Sequence, residues 1–160
     1  MFDELATTFI ASFLIWAMIF CLVPLWYQKQ KGSREMVVHA VFSMLLTWVV
    51  AGLIKELFPI PRPFQLNGYP TLTLTIPFSS AFPSVHSSVA FALATSIYWH
   101  KRRLGVLFLM GAVLVALGRY LGNVHFRLDL LGGALLGTAV SIVVSRIHLE
   151  KITKKVGFRY

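Results

Sequence analysis

The sequence predicts an all-α, polytopic transmembrane helical bundle of about five spans. Hydrophobic residues make up 57% of the 160 residues and charged residues only 13%, against roughly half and a quarter in soluble domains. The mean hydropathy is +0.73. A chain this short cannot bury so much apolar surface within itself, because a small globule leaves a large share of its residues at the surface. The composition therefore excludes a soluble monomer and predicts one integral-membrane domain over residues 1–160.

Five apolar stretches are candidates for spans across a bilayer core of about 30 Å, at about 1.5 Å per helical residue. They cover residues 5–27, 36–58, 84–99, 104–121 and 128–148, the third and fourth being short. We interpret the first as a retained helix rather than a cleaved signal peptide, because Asp3 and Glu4 stand where a basic leader would be. The longest connection, residues 59–83, is a candidate lid. Its 69–77 portion alternates polar and apolar residues, which fits a short strand or a segment lying along the headgroups.

The net charge of +9 has a topological meaning in a membrane protein, whereas in a soluble protein it would suggest nucleic acid. Eleven basic residues fall on one side of the five spans, and we assign that side to the cytoplasm. They are Lys29, Lys31, Arg34, Lys101, Arg102, Arg103, Arg146, Lys151, Lys154, Lys155 and Arg159. This distribution predicts an N-terminus outside, a cytoplasmic C-terminus and no nucleic-acid partner.

The other four basic residues lie on the opposite side and break this orientation rule. They are Lys55, Arg62, Arg119 and Arg127, and they are accompanied there by His86, His125 and Asp129. Charged groups close to hydrocarbon are costly, so such a cluster is a candidate functional site. The ends of four segments that are distant in sequence are therefore expected to meet at one membrane face.

The cations of this cluster predict a phosphate pocket. Arginine forks match phosphate oxygens and lysine acts as a point charge, so Lys55, Arg62 and Arg119 together suit a polyanion. Ser84 adds a hydroxyl, and at the start of the third span the free backbone N–H groups would also face an anion. No carboxylate cluster of the kind that binds metal accompanies them.

The imidazoles of the cluster predict nucleophilic catalysis. His125 and Asp129 are four residues apart, so on a helix they lie on one face and touch. A carboxylate that holds one ring nitrogen leaves the other free as a nucleophile. His86 would then serve as the proton donor for the leaving group.

Three ordered motifs resemble those of the type 2 phosphatidic acid phosphatase superfamily. The family patterns are Lys-x6-Arg-Pro, Pro-Ser-Gly-His and Ser-Arg-x5-His-x3-Asp, separated by membrane spans. The matching residues are Lys55, Arg62 and Pro63, then Pro83, Ser84 and His86, then Arg119, His125 and Asp129. The resemblance covers residues 55–136, and three motifs with correct spacings in the correct order are a specific signal.

The resemblance implies a metal-independent membrane lipid phosphatase that needs no cofactor and works through a phosphohistidine. By family role His125 attacks phosphorus, Asp129 orients it and His86 protonates the leaving group, while Lys55, Arg62, Ser84 and Arg119 hold the phosphate. Bacterial undecaprenyl pyrophosphate phosphatases of the superfamily are the most similar members. That similarity implies a lipid phosphate as partner and a bacterial cytoplasmic (inner) membrane location, with the site facing the extracytoplasmic side.

Several alternatives stay open at the level of sequence. The substrate is alternatively phosphatidylglycerophosphate or phosphatidic acid, and a non-catalytic lipid-phosphate-binding membrane protein would keep the same cations. His86, His125 and Asp129 are also legitimate metal ligands. Two positions depart from the family pattern, since Val85 replaces a glycine and Gly118 replaces a serine that would have been one more phosphate donor.

Other residues receive no assigned role from the sequence. Glu56 and Arg127 lie on the side of the site, and their contribution and that of residues 64–82 stay open, as does the oligomeric state. His39, His100 and His148 fall on the opposite side, where we expect ordinary interfacial histidines.

Overall fold

The structure of the protein is a computed structural model that describes residues 2–30 and 32–146. Helix makes up 75% of it, and no strand occurs within those two ranges, which confirms the predicted all-α class. Lys31, His148 and the C-terminal cations from Lys151 onward lie outside the described residues.

The first apolar segment is a bent helix rather than one straight rod. In chain order it comprises α1 (Phe2–Ser12), α2 (Leu14–Phe20) and α3 (Leu22–Tyr27). Helical hydrogen bonds continue across both breaks, from Phe13 N–H to the Phe9 carbonyl and from Cys21 N–H to the Ala17 carbonyl. The axis bends by 44° at the first break. Pro24 has no N–H and its ring presses on the preceding turn, which explains the second break.

Five further helices follow. They are α4 (Ser33–Leu57), α5 (Pro63–Asn67), α6 (Val85–His100), α7 (Arg102–Leu121) and α8 (Arg127–Ser145). In the described part of the chain, α4, α7 and α8 are long and apolar enough to cross a membrane, and the bent first segment makes a fourth if it counts as one span. The 16 residues of α6 rise only about 24 Å, which is less than a bilayer core.

Helix α6 is short because it is the central helix of the bundle. It packs against α4, α7 and α8, and Ala90, Leu93, Ala94 and Ile97 are fully buried there. Glycines allow these close approaches, since a Cβ at Gly137 of α8 would collide with the backbone of α6. The shortest of the four longest helices is therefore the one that the other three all contact.

Hydroxyl side chains tie the three central helices together. Ser43 of α4 lies 3.0 Å from Ser96 of α6, and Ser96 lies 3.1 Å from Ser141 of α8, measured between Oγ atoms. All three are buried. Hydroxyl pairs of this kind act between helices where lipid offers no hydrophobic driving force for association.

The long connection between α4 and α6 covers one end of the bundle. Apart from α5 it is irregular, so the strand alternative for residues 69–77 is wrong. Its hydrogen bonds go to its neighbours instead, from Leu72 N–H to the Gly122 carbonyl (3.1 Å) and from Leu74 N–H to Ser12 Oγ (3.0 Å). The connection thus contacts the ends of α1 and α7 on the side where α4 ends.

Candidate active site

The guanidinium of Arg62 contacts several segments of the candidate site. Arg62 precedes α5 and is 3% exposed. Its Nε donates to the Ser79 carbonyl at 2.7 Å and its Nη2 to the Ser80 carbonyl at 3.1 Å. Its Nη1 donates to the Val124 carbonyl at 2.9 Å and lies 3.2 Å from His125 Nε2. The side chain therefore joins the long connection to the segment between α7 and α8.

Lys55 reaches the same connection from the last turn of α4. Its Nζ donates to the carbonyls of Ser80 and Ala81. The Ser80 carbonyl thus accepts hydrogen bonds from both Lys55 and Arg62, which brings the two cations of the first motif to one point. Ser79 and Ser80 could not be predicted as site residues from the sequence. They accept these bonds through backbone carbonyls, which every residue type has.

His125 lies between Arg62 and Asp129 and is 2% exposed. Guanidinium groups only donate, so His125 Nε2 accepts from Arg62 and the neutral ring carries its proton on Nδ1. That Nδ1 lies 3.4 Å from Asp129 Oδ2, too far and too poorly aligned for a good bond, and it has no hydrogen-bond partner among the described residues. Asp129 Oδ2 instead accepts from Phe126 N–H at 2.8 Å, which caps the start of α8.

Ser84 fixes the start of α6 against the start of α8. Its side chain accepts from Ser87 N–H, which makes Ser84 the N-cap of α6. Its N–H donates to the Asp129 carbonyl at 3.0 Å. The second and third motifs are therefore joined through a backbone hydrogen bond, and the first turn of α6 lies beside the start of α8.

Arg119 enters the site from the last turn of α7. Its Nη1 donates to the Ala11 carbonyl of α1 at 3.1 Å, whereas its buried Nε has no hydrogen-bond partner in the described chain. A buried donor without a partner is costly, so this edge of the guanidinium is suited to an anionic ligand. Arg119 is 5% exposed, and its hydrogen bond goes to α1 rather than to another residue of the site.

Gly118 allows α7 to pack closely against α1. A Cβ at this position would lie 2.8 Å from Ala11 N and 2.8 Å from Ile10 Cγ2, so position 118 faces α1 rather than the phosphate pocket. The close approach of α1 to α7 leaves no room for a side chain at position 118, so a serine here would meet α1 and would not donate to a phosphate.

His86 and Val85 border an apolar cavity between α2, α4 and α6. His86 borders a cavity of about 400 Å³ whose other walls are apolar side chains of α2, α4 and α6, including Trp16, Met44 and Trp48. Val85 lines this cavity and also a neighbouring groove of about 400 Å³ that contains Lys55. The cationic end of the site is therefore continuous with an apolar space.

The electrostatics of the site favour a multiply charged anion. Lys55, Arg62 and Arg119 stand against the single carboxylate of Asp129. Burial lowers the pKa of Arg62 to about 10, an effect that Asp129 opposes, so the guanidinium stays charged at neutral pH. Burial also lowers the pKa of His125 to about 4, a shift that Asp129 opposes and the surrounding cations reinforce. His125 is therefore a neutral imidazole at pH 7.

The two residues left unassigned lie at the edge of the site. Arg127 stacks over the ring of Tyr120, with its Cζ 5.3 Å from the ring centroid, and donates to the Tyr120 hydroxyl at 3.3 Å. Glu56 is exposed and lines the groove beside Lys55.

Known proteins resemble this chain in both sequence and fold. YbjG of Escherichia coli strain K12 is 34% identical over 131 residues, which are 81% of this chain and 65% of YbjG. Undecaprenyl-diphosphatase BcrC of Bacillus subtilis strain 168 is 26% identical over 140 residues, 86% of this chain and 71% of BcrC. The crystal structure of Aquifex aeolicus LpxE superimposes with a TM-score of 0.76 at 25% identity, covering 91% of this chain and 86% of LpxE.

The chain thus spans about two thirds of the length of the first of these relatives. The family model of the PAP2 superfamily matches residues 36–153. This match includes all three motifs and the helices α4, α6, α7 and α8 that carry them. The chain belongs to the PAP2 superfamily.

Proposed function

We propose that the protein is a metal-independent membrane lipid phosphatase whose nucleophile is His125. The observation that carries the proposal is the placement of one neutral imidazole between Arg62 and Asp129. A protein that only bound lipid phosphate would need the cations, but it would not need the carboxylate of Asp129 beside the His125 ring. Membership of the PAP2 superfamily supports the same reaction.

The proposed reaction has two steps. His125 Nε2 attacks the terminal phosphorus and forms a P–N bond while the bond from that phosphorus to the leaving-group oxygen breaks. This oxygen is the bridging oxygen of a lipid pyrophosphate or the ester oxygen of a lipid monophosphate. The electron pair goes to that oxygen, which takes a proton from His86. Water then attacks the phosphorus of the phosphohistidine and His86 accepts a proton from it, while the P–N bond breaks, its electron pair returns to His125 Nε2, and inorganic phosphate leaves. Asp129 stabilises the positive charge that the imidazole ring carries between the two steps.

The cations stabilise the charge that develops on the transferred phosphoryl group. Arg62 Nη1 now contacts His125 Nε2, so on substrate binding it would donate to a phosphoryl oxygen that approaches the same nitrogen. The unpaired Nε of Arg119 and the hydroxyl and first-turn N–H groups at Ser84 supply further donors, and Lys55 supplies a point charge. Donors fixed by the fold before substrate arrives need no reorganisation in the transition state.

The apolar cavity beside His86 supports an amphiphilic substrate. A soluble phosphate ester would gain nothing from a cavity of about 400 Å³ lined by Trp16, Met44 and Trp48. A lipid could keep its chain there, and His86 at the boundary would face the leaving-group oxygen of the phosphate.

Undecaprenyl pyrophosphate is the substrate we propose, with undecaprenyl phosphate and inorganic phosphate as products. The similarity to the undecaprenyl-diphosphatase BcrC supports this choice. Phosphatidylglycerophosphate and phosphatidic acid are the alternatives, because each presents a phosphate at the end of an apolar anchor.

We further propose five spans in a single domain, with α6 as the short central one, and an N-terminus outside. The site would then face the extracytoplasmic side of a bacterial cytoplasmic membrane. The charge distribution supports this orientation, since Arg102 and Arg103 lie at the end of the bundle opposite to Lys55 and Arg119.

Phosphate release from purified lipid phosphates tests the function. The full chain in detergent, with excess chelator present, should release phosphate from undecaprenyl pyrophosphate faster than from phosphatidic acid or phosphatidylglycerophosphate. His125→Ala should bind vesicles containing the lipid as well as the parent protein but show no turnover. Full turnover by this variant would contradict the nucleophile, and a requirement for added metal would contradict the metal-independent reaction.

Thiol labelling tests the orientation. Phe78 is 94% exposed in the long connection, and Cys21 is the natural cysteine. In a Cys21→Ser background, Phe78→Cys should react with an impermeant thiol reagent in whole cells. Arg103→Cys, at the other end of the bundle, should react only after lysis. The reverse pattern would overturn the proposed sidedness.

A further inference from the structure

A second cluster of polar side chains lies at the other end of α4. Glu35 and His39 are four residues apart on α4, and His100 ends α6. With about 1.5 Å of rise per residue, Glu35 lies about 30 Å along α4 from Lys55. The cluster is therefore separate from the phosphate site and has no part in the proposed reaction.

The ring nitrogens of the two histidines face each other. His39 Nδ1 lies 3.1 Å from His100 Nε2, and the ring centroids are 5.0 Å apart. His39 is 3% exposed, so this contact is buried on one side. The pair thus places two imidazole nitrogens, one from α4 and one from α6, close enough to bind the same metal ion.

A backbone carbonyl sets the tautomer of His100. Its Nδ1 lies 2.9 Å from the Ser96 carbonyl oxygen, which only accepts, so Nδ1 carries the proton and Nε2 presents its lone pair toward His39. A histidine whose second nitrogen donates to a carbonyl is oriented as metal-ligating histidines usually are. The carbonyl thus prepares His100 Nε2 as a ligand.

The third ligand comes from Glu35. One oxygen of its carboxylate and one nitrogen of each histidine all lie within 4.8 Å of one another. Two ligands of a tetrahedral zinc ion at about 2.1 Å are about 3.4 Å apart. The histidine nitrogens are thus only a few tenths of an ångström from this spacing, and the carboxylate closes the set through side-chain rotation.

We propose that Glu35, His39 and His100 form a site for a divalent transition-metal ion of the zinc type, which joins α4 to α6. Two imidazoles and one carboxylate suit zinc rather than magnesium or calcium, which prefer oxygen ligands. Glu35 and His100 are half-buried, so the ion enters from the end of the bundle, and water completes its coordination. The ion is structural, because it lies a whole helix length from the reacting phosphorus.

Metal titration of the full chain tests the site. The protein is purified in detergent without a histidine tag, treated with chelator and titrated calorimetrically with ZnCl2. We expect one Zn²⁺ per chain and a higher unfolding temperature. His100→Ala and Glu35→Gln should each lower zinc affinity by on the order of tenfold or more. Glu35→Gln keeps the side-chain size and the histidine pair, so it remains informative if His100→Ala does not fold. MgCl2 should produce no such binding.

Two controls separate this site from other zinc binding. Glu56→Gln changes a glutamate at the far end of the same helix and should leave zinc affinity unchanged. His125→Asn should also leave it unchanged, because the phosphate site is not involved. Zinc affinity that survives both Glu35→Gln and His100→Ala would overturn the proposal, and so would a loss of binding in His125→Asn. Neither result depends on whether the protein hydrolyses a lipid phosphate.

Discussion

Arg62 Nη1 lies 3.2 Å from His125 Nε2, on the opposite side of the ring from Asp129. This contact determines which nitrogen of the His125 imidazole carries the proton. A guanidinium cannot accept a hydrogen bond, so Nε2 keeps its lone pair and the proton stays on Nδ1 beside the carboxylate. The same cation that is proposed to hold the phosphate thus also keeps the nucleophile in its reactive tautomer.

The activity should persist in mildly acidic solution. Burial lowers the pKa of His125 to about 4, below the ordinary value of about 6.5. His125 therefore loses its lone pair only when the pH falls through about 4. In a profile of kcat/KM against pH, which reports on the free enzyme, the loss of activity on the acidic side should be centred near that value. A fall centred near the ordinary histidine pKa would contradict the buried, cation-flanked environment.

The pKa shift also affects stability, and its sign follows from proton binding. The unfolded chain binds a proton on His125 near its ordinary pKa, whereas the folded chain binds it only near pH 4. Between these values the unfolded state holds more protons, so the His125 contribution to stability is complete at neutral pH and is lost as the pH falls. Thermal unfolding at pH 7 and pH 5 should show the lower temperature at pH 5. His125→Asn should reduce this difference, and an unchanged difference would assign it to other groups.

Arg62→Lys should abolish most of the activity although it keeps the charge. Arg62 uses Nε, Nη1 and Nη2 on different acceptors, and a lysine ammonium cannot reach them all. Removal of one fixed transition-state donor costs on the order of 10² to 10³ in kcat, and each carbonyl left without a donor costs about 1–3 kcal/mol of stability. Steady-state kinetics and thermal unfolding measure the two effects. Arg103→Lys, at an exposed position of α7, is the matched control and should change neither.

Asp129 has two roles that two substitutions separate. Its Oδ2 accepts from Phe126 N–H at the start of α8, and the same oxygen faces His125. Asp129→Asn keeps an acceptor for the cap but loses the charge, whereas Asp129→Ala loses both. Both should lower kcat by orders of magnitude, and only the alanine variant should also lose about 1 kcal/mol of stability, the usual worth of a cap. Equal stability of the two variants would contradict the proposal that the Asp129 side chain stabilises the start of α8.

The proximity of His125 to Asp129 was easier to predict from the sequence than the course of the helices around them. Residues such as His125 and Asp129 carry their chemistry in their type and spacing, so their encounter was foreseeable. The bend in the first segment and the irregular 69–77 portion were not, because both depend on what the chain packs against. The contacts of Leu72 and Leu74 go to Gly122 and Ser12, and nothing in an alternating pattern reveals such partners.

The contact between His39 and His100 also could not be predicted from the sequence. His39 and His100 were expected to be separate interfacial residues, yet they lie in contact. His39 lies in the second turn of α4 and His100 ends α6, and only the packing of α4 against α6 brings them together. A sequence reading of single residues could not find a pair that is 61 positions apart.

Gly118→Ser should destabilise the protein although it restores the family pattern. The new Cβ would lie 2.8 Å from Ala11 N, which is backbone and cannot move aside without shifting α1. Overpacking of this kind costs about 1–3 kcal/mol, and the displaced α1 would also draw the Ala11 carbonyl away from Arg119. We therefore expect a lower unfolding temperature and a lower kcat/KM. Gly52→Ala is the matched control, because nothing lies within 4 Å of a Cβ at that position of α4, and it should be neutral or stabilise by about 0.5–1 kcal/mol. If the serine variant were as stable as the parent and more active, position 118 would face the phosphate after all, and the proposed packing of α1 on α7 would be wrong.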